Sequence, residues 1–118
     1  MILVDSSVWI DHLNKTDPQL SYLLDGAEVI THPFVIGEIL LGNLRNRQSI
    51  RQFLLNLLPA IVAKDFEVYD LIEKHKLFGL GVGYIDVHIL ASAKLSNALI
   101  WTRDLRLRKA ADTMGIAI

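Results

Sequence analysis

The chain opens with Ile2-Leu3-Val4-Asp5-Ser6-Ser7-Val8-Trp9-Ile10, in which three consecutive apolar residues lead directly into an acid. A short, wholly apolar run of this kind is typical of a parallel strand that is buried on both faces. Residues 6–13 then follow a helical pattern, with Val8 and Trp9 on the apolar side. The stretch therefore predicts a buried strand followed at once by a helix, with Asp5 at the junction.

The same alternation of short strands and helices continues to the end of the chain. Further strands are predicted at residues 28–31, 60–62, 98–102 and 116–118. Further helices are predicted at residues 17–26, 34–44, 48–58, 65–76, 86–95 and 105–114. We expect Gly26 to end its helix in a left-handed conformation and Pro59 to end the helix before it. Strands alternating with helices indicate an α/β domain with a mainly parallel sheet, and the length suits one domain spanning residues 1–118.

The composition limits the classes of function. With 12 Lys and Arg against 13 Asp and Glu, the net charge of −1 does not favour bulk electrostatic attraction to nucleic acid. The absence of Cys excludes disulfides and thiolate metal sites. No apolar run approaches the roughly 18 residues of a membrane span and no secretory signal is evident, so we expect a cytosolic protein with no membrane partner. The apolar content of 52% predicts a surface that meets a partner.

Four acidic residues are candidate ligands, and two of them follow predicted strands. Asp5 follows the first strand and Asp104 lies two residues after the fourth, and the carboxyl ends of parallel strands share one edge of the sheet. Glu38 lies in a strongly apolar helix, where an unpaired carboxylate is rare. Asp86 begins a helix directly after a glycine-rich stretch.

Each acid also has a purely structural interpretation, which the sequence leaves open. The three Asp residues precede or begin helices, where Asp is a good N-cap. Glu38 could lie on an exposed stripe of its helix or pair with Arg45 or Arg47.

The four acids together favour metal chemistry more strongly than any one of them does. Nucleases that use two metals need several carboxylates around Mg²⁺ or Mn²⁺, which orient water, lower its pKa and stabilise charge on the reacting oxygens. The predicted metal ligands and catalytic residues are therefore Asp5, Glu38, Asp86 and Asp104.

The segments that carry these acids resemble the motifs of PIN-domain ribonucleases, particularly the VapC-type toxins of bacterial and archaeal toxin–antitoxin pairs. Residues 2–10 resemble the family's first strand, with its Asp and a following Ser or Thr. Residues 33–42 resemble the helix with the Glu, and residues 86–93 resemble the third acid and its helix. Residues 99–107 resemble the strand, the Thr-x-Asp motif and the last helix. The resemblance spans nearly the whole chain, with all four acids in order.

The resemblance implies a three-layer α/β/α sandwich with Mg²⁺ or Mn²⁺ as cofactor. It implies an endoribonuclease that cleaves RNA with metal-activated water, as the toxin of a type II toxin–antitoxin pair. A cognate antitoxin and a second copy of the chain, forming a homodimer, are then the expected protein partners. By the same matching, Ser6 and Thr102 are candidate hydroxyl contributors near the metals. Two departures concern substrate contacts: Ser6 replaces the commoner Thr, and His32 stands where a small hydroxyl residue usually precedes Pro33.

Two alternatives remain beside this hypothesis. A PIN nuclease of RNA processing or DNA repair would share the site, although the small size without added domains favours the toxin. A non-catalytic receiver-like binding module would need a paired acid cluster and a late Lys. Here Asp5 has no acidic neighbour, and no Lys directly follows the fourth strand.

The remaining polar residues give weaker signals. The Arg and Lys residues are either a solvated helix face or phosphate contacts, and they form two clusters: Arg45, Arg47 and Arg51, and Arg103, Arg106, Arg108 and Lys109. No two histidines have metal-ligand spacing, so all four are expected to be on the surface or satisfied in the core: His12, His32, His75 and His88. Residues 79–83 contain three glycines and are predicted to be non-helical, without the Lys-Ser/Thr of a phosphate loop.

Overall fold

The centre of the molecule is a parallel sheet of four short strands, seen in a computed structural model that describes residues 1–118. The strands are β1 (Ile2–Val4), β2 (Val29–Thr31), β3 (Leu58–Pro59) and β4 (Leu99–Trp101). Their order is β3-β2-β1-β4, and every neighbouring pair is parallel. Leu3 in β1 lies opposite Ile30 on one side and Ile100 on the other. The predicted terminal strand is reduced to a single parallel bridge between Ala117 and Ile100.

Seven helices cover the sheet. They are α1 (Ser6–Asn14), α2 (Pro18–Asp25), α3 (Pro33–Leu40), α4 (Arg47–Asn56), α5 (Asp65–His75), α6 (Tyr84–Leu95) and α7 (Leu105–Thr113). From β1 the chain adds β2 and β3 on one side of the sheet, and it then crosses back to place β4 on the other side of β1. Because crossovers between parallel strands are right-handed, this reversal places α1–α4 on one face of the sheet and α5–α7 on the other. The packing agrees, since α1 contacts α3, α3 contacts α4, α5 contacts α6, and α6 contacts α7. This arrangement confirms the α/β/α sandwich, with a wholly parallel sheet.

Side-chain caps explain where several helices begin. Asp17 accepts hydrogen bonds from two backbone N–H groups of α2, and Pro18 occupies the first helical position, where a residue without an N–H is tolerated. His32 caps α3, because its Nδ1 accepts the N–H of Phe34 at 3.0 Å. These acceptors satisfy backbone donors that the start of a helix leaves unpaired.

The third strand is where the sequence prediction is wrong. The sequence predicts residues 60–62, whereas the structure pairs Leu58–Pro59 with β2, and the preceding helix ends at Asn56 without help from Pro59. β3 is an edge strand with one neighbour, so a residue that lacks an N–H is tolerated there. The β-branched run that suggested a strand is left outside the sheet, with Ile61 59% exposed.

The end of α2 also differs from the prediction. Gly26 has a φ of −83°, and it is Ala27, with a φ of 54°, that takes the left-handed conformation. The N–H groups of Ala27 and Glu28 donate to the carbonyls of Leu24 and Leu23, so the helix closes with a Schellman motif one residue later than the glycine suggested.

Two further boundaries bear on the placement of the acids. α3 ends at Leu40, four residues before the predicted end, where the guanidinium of Arg47 donates to the carbonyls of Leu40 and Gly42. α6 begins at Tyr84, so Asp86 lies inside its first turn and Gly83 takes the N-cap position. A simple capping role for Asp86 is therefore wrong.

The core is one contiguous cluster of 28 buried apolar residues between the sheet and the helices. α6 runs through it, with seven consecutive buried residues from Val87 to Ala93. Trp9 and Trp101 are both buried, which places the two tryptophans in the core. No helix has the length and apolar character needed to cross a membrane, and the longest, α6, has 12 residues.

Candidate active site

The carboxyl ends of β1 and β4 form a crevice at the edge of the sheet. From β1 the chain moves to β2 on one side, whereas β4 lies on the other side, so the strand order reverses between these two neighbours. In open α/β sheets such a reversal leaves a crevice beyond the strand ends, where ligands bind. Asp5 directly follows β1, and Asp104 lies just beyond β4, so both acids lie at this crevice.

Asp5 is buried, with 5% exposure, and its carboxylate is held through one oxygen. Oδ2 accepts hydrogen bonds from Ser7 Oγ at 2.7 Å and Thr102 Oγ1 at 2.8 Å, and a longer one from the Ser7 N–H at 3.4 Å. The last contact caps α1, so the capping interpretation of Asp5 is correct for that oxygen. No protein group donates to Oδ1, which leaves a second oxygen for a ligand.

Asp104 is exposed and caps α7. Its Oδ1 accepts the N–H groups of Arg106 at 2.9 Å and Leu107 at 3.2 Å, whereas Oδ2 has no protein donor. Its own N–H donates to Thr102 Oγ1 at 3.0 Å. The Thr102 hydroxyl therefore joins the two acids of the crevice, because it also donates to Asp5.

Glu38 lies on the exposed side of α3 but faces the crevice. Its Oε2 accepts a hydrogen bond at 2.7 Å from the hydroxyl of Ser6, the residue next to Asp5. It makes no ion pair with Arg45 or Arg47, so the pairing alternative is wrong while the exposed-stripe alternative describes its exposure correctly.

Asp86 is half-buried in the first turn of α6 and accepts no hydrogen bond from the protein. Burial, and after it the negative charges of Asp5, Asp104 and Glu38, raise the pKa of its carboxyl from 3.8 to about 6. A carboxyl whose ionisation is opposed by three others must lie near all of them. The structure thus brings the four sequence-predicted acids together at one edge of the sheet.

The present side-chain positions do not form a closed metal site. No three acidic or His side chains come close enough together to hold one ion. Like charges favour such separation, and three of the four acids bind hydrogen-bond donors of their own through one oxygen while the other stays free. An all-oxygen donor set with free carboxylate oxygens suits hard cations such as Mg²⁺ and Mn²⁺.

Known proteins resemble this chain over nearly its whole length. The family model of the PIN domain matches residues 2–113. The chain belongs to the PIN-domain family. It is 41% identical over 119 aligned positions to "Ribonuclease VapC32" of Mycobacterium tuberculosis, covering 100% of this chain and 96% of that protein. This relative places it with the VapC-type ribonucleases of the family, and a receiver-like module is not supported.

Solved structures share the fold of this PIN domain. FitAcB from Neisseria gonorrhoeae superposes with a TM-score of 0.65 at 24% identity, covering 95% of this chain and 94% of that one. PAE2754 from Pyrobaculum aerophilum superposes with a TM-score of 0.63 at 17% identity, covering 92% and 78%. At these identities the likeness concerns the fold alone.

The sequence of this PIN domain did not single out one hydroxyl at the site. Family matching points to Ser6 and Thr102, and both bond acids of the crevice. Ser7 makes more contacts than either: its Oγ donates to Asp5, lies 3.3 Å from Thr102 Oγ1 and accepts the N–H of Arg103 at 3.0 Å. The available signal was the pair of serines directly after Asp5, which the first turn of α1 places at the same edge of the sheet.

His32 shows how the departure before Pro33 is accommodated. The ring is fully buried, and besides capping α3 it makes a 3.0 Å hydrogen bond between Nε2 and Ser92 Oγ. Burial, with a smaller contribution from nearby His88, lowers the pKa of His32 from 6.5 to about 4. A neutral imidazole therefore provides the acceptor that a small hydroxyl would provide, as expected for a satisfied core histidine.

The second basic cluster is not uniformly available to phosphates. The guanidinium of Arg103 is bound by Asp11 and Asp17, whereas Arg106 packs over Gly81. An added Cβ at Gly81 would lie 3.2 Å from Arg106 Nη1, and Gly81 also has a φ of 75°. The glycine therefore serves both the non-helical backbone and the close approach of the arginine.

Proposed function

We propose that this chain is a Mg²⁺- or Mn²⁺-dependent endoribonuclease that acts as the toxin of a type II toxin–antitoxin pair. The observation that carries the proposal is the position of Asp5 and Asp104 at the strand-order reversal, where the Thr102 hydroxyl bonds both residues and Ser6 bonds Glu38. The raised pKa of Asp86 supports it. The 41% identity with a VapC-type ribonuclease supports RNA as the substrate.

The proposed metal ligands and catalytic residues are Asp5, Glu38, Asp86 and Asp104. Each has at least one carboxylate oxygen that no protein group occupies, and those oxygens would hold Mg²⁺ or Mn²⁺. A divalent cation bound there would lower the pKa of water and neutralise charge on the phosphodiester oxygens. Asp86 would then be ionised, because a neighbouring positive charge offsets the repulsion that raises its pKa.

The surrounding hydroxyls hold these ligands in place. Ser7 and Thr102 fix one oxygen of Asp5, and Ser6 fixes one oxygen of Glu38, so the free oxygens keep a defined direction. No His or Lys of the chain is required as a nucleophile. Arg106, which has no carboxylate partner, is the proposed phosphate contact of the second basic cluster.

Cleavage of single-stranded RNA by the purified chain tests this function. We expect cleavage with Mg²⁺ or Mn²⁺, none in EDTA, and loss of cleavage in Asp5→Asn, which keeps the side-chain shape and its hydroxyl contacts. Asp70→Asn removes an exposed acid of α5 outside the site and should cleave normally. Cleavage that persists in EDTA, or in Asp5→Asn, would refute the proposal.

The partners follow from the same proposal. The VapC-type likeness supports a cognate antitoxin, and exposed aromatic residues support a homodimer. We propose that residues 1–118 form a single domain that acts in the cytosol. RNA substrates are present there, and a chain without Cys needs no oxidising compartment.

A further inference from the structure

Arg103 links three parts of the molecule through its side chain. Nη1 donates to Asp11 Oδ2 at 2.6 Å, and Nη2 donates to Asp17 Oδ2 at 2.5 Å. Asp11 belongs to α1, and Asp17 is the N-cap of α2. The guanidinium carbon also lies 5.6 Å from the centre of the Trp101 ring at the end of β4.

The backbone of the same segment is tied to the acids of the crevice. The N–H of Arg103 donates to Ser7 Oγ, and the N–H of Asp104 donates to Thr102 Oγ1, each at 3.0 Å. Both hydroxyls in turn donate to Oδ2 of Asp5. Arg103 therefore lies where the hydrogen bonds around Asp5 meet the ion pairs to α1 and α2.

We propose that Arg103, Asp11 and Asp17 form a positioning clamp for Asp104. The clamp holds the connection from Thr102 to Asp104 against α1 and α2, so that the free oxygen of Asp104 stays in the crevice with Asp5. Its effect on metal rests on the proposed function, whereas its effect on the connection is a property of the metal-free chain.

The clamp is more constrained than an isolated surface ion pair, because one of its carboxylates is also bound by the backbone of the fold. Asp17 is 19% exposed at its side chain, its Oδ1 caps α2, and its N–H donates to His12 Nδ1 at 2.9 Å. A planar guanidinium bonded to two carboxylates on separate helices is fixed in direction as well as in distance. The bound guanidinium therefore restrains the backbone of Arg103 and, with it, the adjacent Asp104.

Electrostatics alone predicts opposite changes in cation affinity for loss of the Arg103 charge and loss of the Asp17 charge. Removal of the positive charge of Arg103 would strengthen cation binding at the nearby acids, and removal of the negative charge of Asp17 would weaken it. Positioning predicts weaker cation binding in both cases, because either change releases Asp104. The sign of the Arg103→Met effect therefore separates the two explanations.

The first measurement is amide hydrogen exchange in EDTA, which requires no metal. We expect the Arg103 and Asp104 amides to exchange about tenfold faster in Arg103→Met, because the local opening that exposes them costs less free energy. Arg108→Met is the matched control, since Arg108 approaches only Asp112 within α7, at 4.0 Å, and carries the same charge. It should leave both amides unchanged.

The second measurement is Mn²⁺ affinity by calorimetry, without RNA. Arg103→Met and Asp17→Asn should each weaken Mn²⁺ binding by about tenfold, the lower range for residues that orient metal ligands. Asn retains an acceptor oxygen for the cap of α2, so Asp17→Asn tests the clamp without removing the cap, and it serves if Arg103→Met does not fold. The double variant should bind little more weakly than either single one.

The outcomes separate the clamp from the proposed function. Unchanged exchange of the two amides, or tighter Mn²⁺ binding in Arg103→Met, overturns the clamp. Faster exchange in a chain whose parent form binds no Mn²⁺ supports the clamp and refutes the metal-dependent function.

Discussion

At the scale of single residues, Asp86 makes the fold less stable when no metal is bound. Its carboxyl is half-buried, accepts no hydrogen bond from the protein and is opposed by three other negative charges. Groups arranged in this way are unfavourable for folding and persist where function requires them. Electrostatic repulsion is therefore stored at this residue, and a bound cation would release it.

His32 gives a prediction about stability against pH. Its pKa is about 4 in the fold against 6.5 for an ordinary His, so the fold excludes a proton that the unfolded chain binds. Its contribution to stability is complete above pH 6.5 and is lost as the pH falls toward 4, by at most about 3 kcal/mol. His32→Asn keeps a cap acceptor but cannot titrate, so the gap in unfolding free energy between parent and variant should shrink over this window.

Urea unfolding at pH 7, 5.5 and 4.5 measures that gap. At pH 7 the variant should be about 1–2 kcal/mol less stable, because it loses ring volume and the hydrogen bond to Ser92. Ser92→Ala is the control: it removes the same partner but leaves the buried ring, so its deficit should not shrink on acidification. A gap between parent and His32→Asn that stays constant with pH would count against a proton-excluding His32.

The sequence predicted the acids better than their surroundings. Predicted strand ends and family motifs selected the four acids, and the fold brings them together at one edge of the sheet. The contact between Ser7 and Thr102 joins residues 95 positions apart, which no local pattern encodes. The sequence left the exposure of Glu38 open, with an exposed stripe as one alternative, because the apolar residues around it do not reveal which side of α3 meets the core.

At the scale of elements, the prediction succeeded where short-range chemistry decides. β1, β2 and β4 are short, mainly apolar and mostly buried runs, and α2 and α7 start at Asp caps, so all five were expected close to their observed bounds. Three of these elements, β1, β4 and α7, meet at the crevice. The local sequence therefore specifies the edge of the sheet at which the acids meet.

The prediction failed where tertiary contacts decide. β3 has only two residues at the edge of the sheet, and its pairing with Ile30 and Thr31 selects Leu58–Pro59 over the more strand-like residues 60–62. The end of α3 depends on a side chain of the next helix, because the guanidinium of Arg47 donates to the carbonyls of Leu40 and Gly42. Neither contact follows from propensity, because each joins separate elements.

At the scale of the whole molecule, one exposed surface supports self-association. Phe66 and Tyr69 lie three residues apart on α5, and the ring centres of Tyr69 and Tyr84 are 6.2 Å apart. We call these three residues the aromatic patch; their exposures are 60%, 56% and 42%. Exposed aromatic clusters of this kind are enriched at protein interfaces.

We predict a homodimer that buries the aromatic patch. Light scattering on the 13.3 kDa chain should give twice that mass, and Phe66→Lys should shift it toward the monomer because a charge in an apolar interface is costly. Tyr22→Lys, at a residue of α2 that is 74% exposed and outside the patch, is the control and should remain dimeric. A parent chain that is monomeric at all concentrations would contradict the dimer.

The melting temperature of Asp86→Asn tests whether the four acids share one metal site. The pKa of Asp86 in the fold, about 6, lies above the ordinary 3.8, so ionised Asp86 destabilises the metal-free fold fully above pH 6 and not at all below pH 3.8. Two pKa units correspond to about 3 kcal/mol, which we reduce to about 1 kcal/mol because solvent screens a half-exposed group.

Thermal melts of the parent, Asp86→Asn and the control Asp70→Asn at pH 7.5, in EDTA and in Mn²⁺, make the comparison. In EDTA, Asp86→Asn should melt a few degrees higher than the parent, as about 1 kcal/mol implies for this length. In Mn²⁺ the order should reverse, because the parent gains stability by binding the ion while the variant has lost a ligand. Asp70→Asn should follow the parent in both. An Asp86→Asn variant that melts lower than the parent in EDTA and keeps the full Mn²⁺-induced shift would contradict the shared metal site.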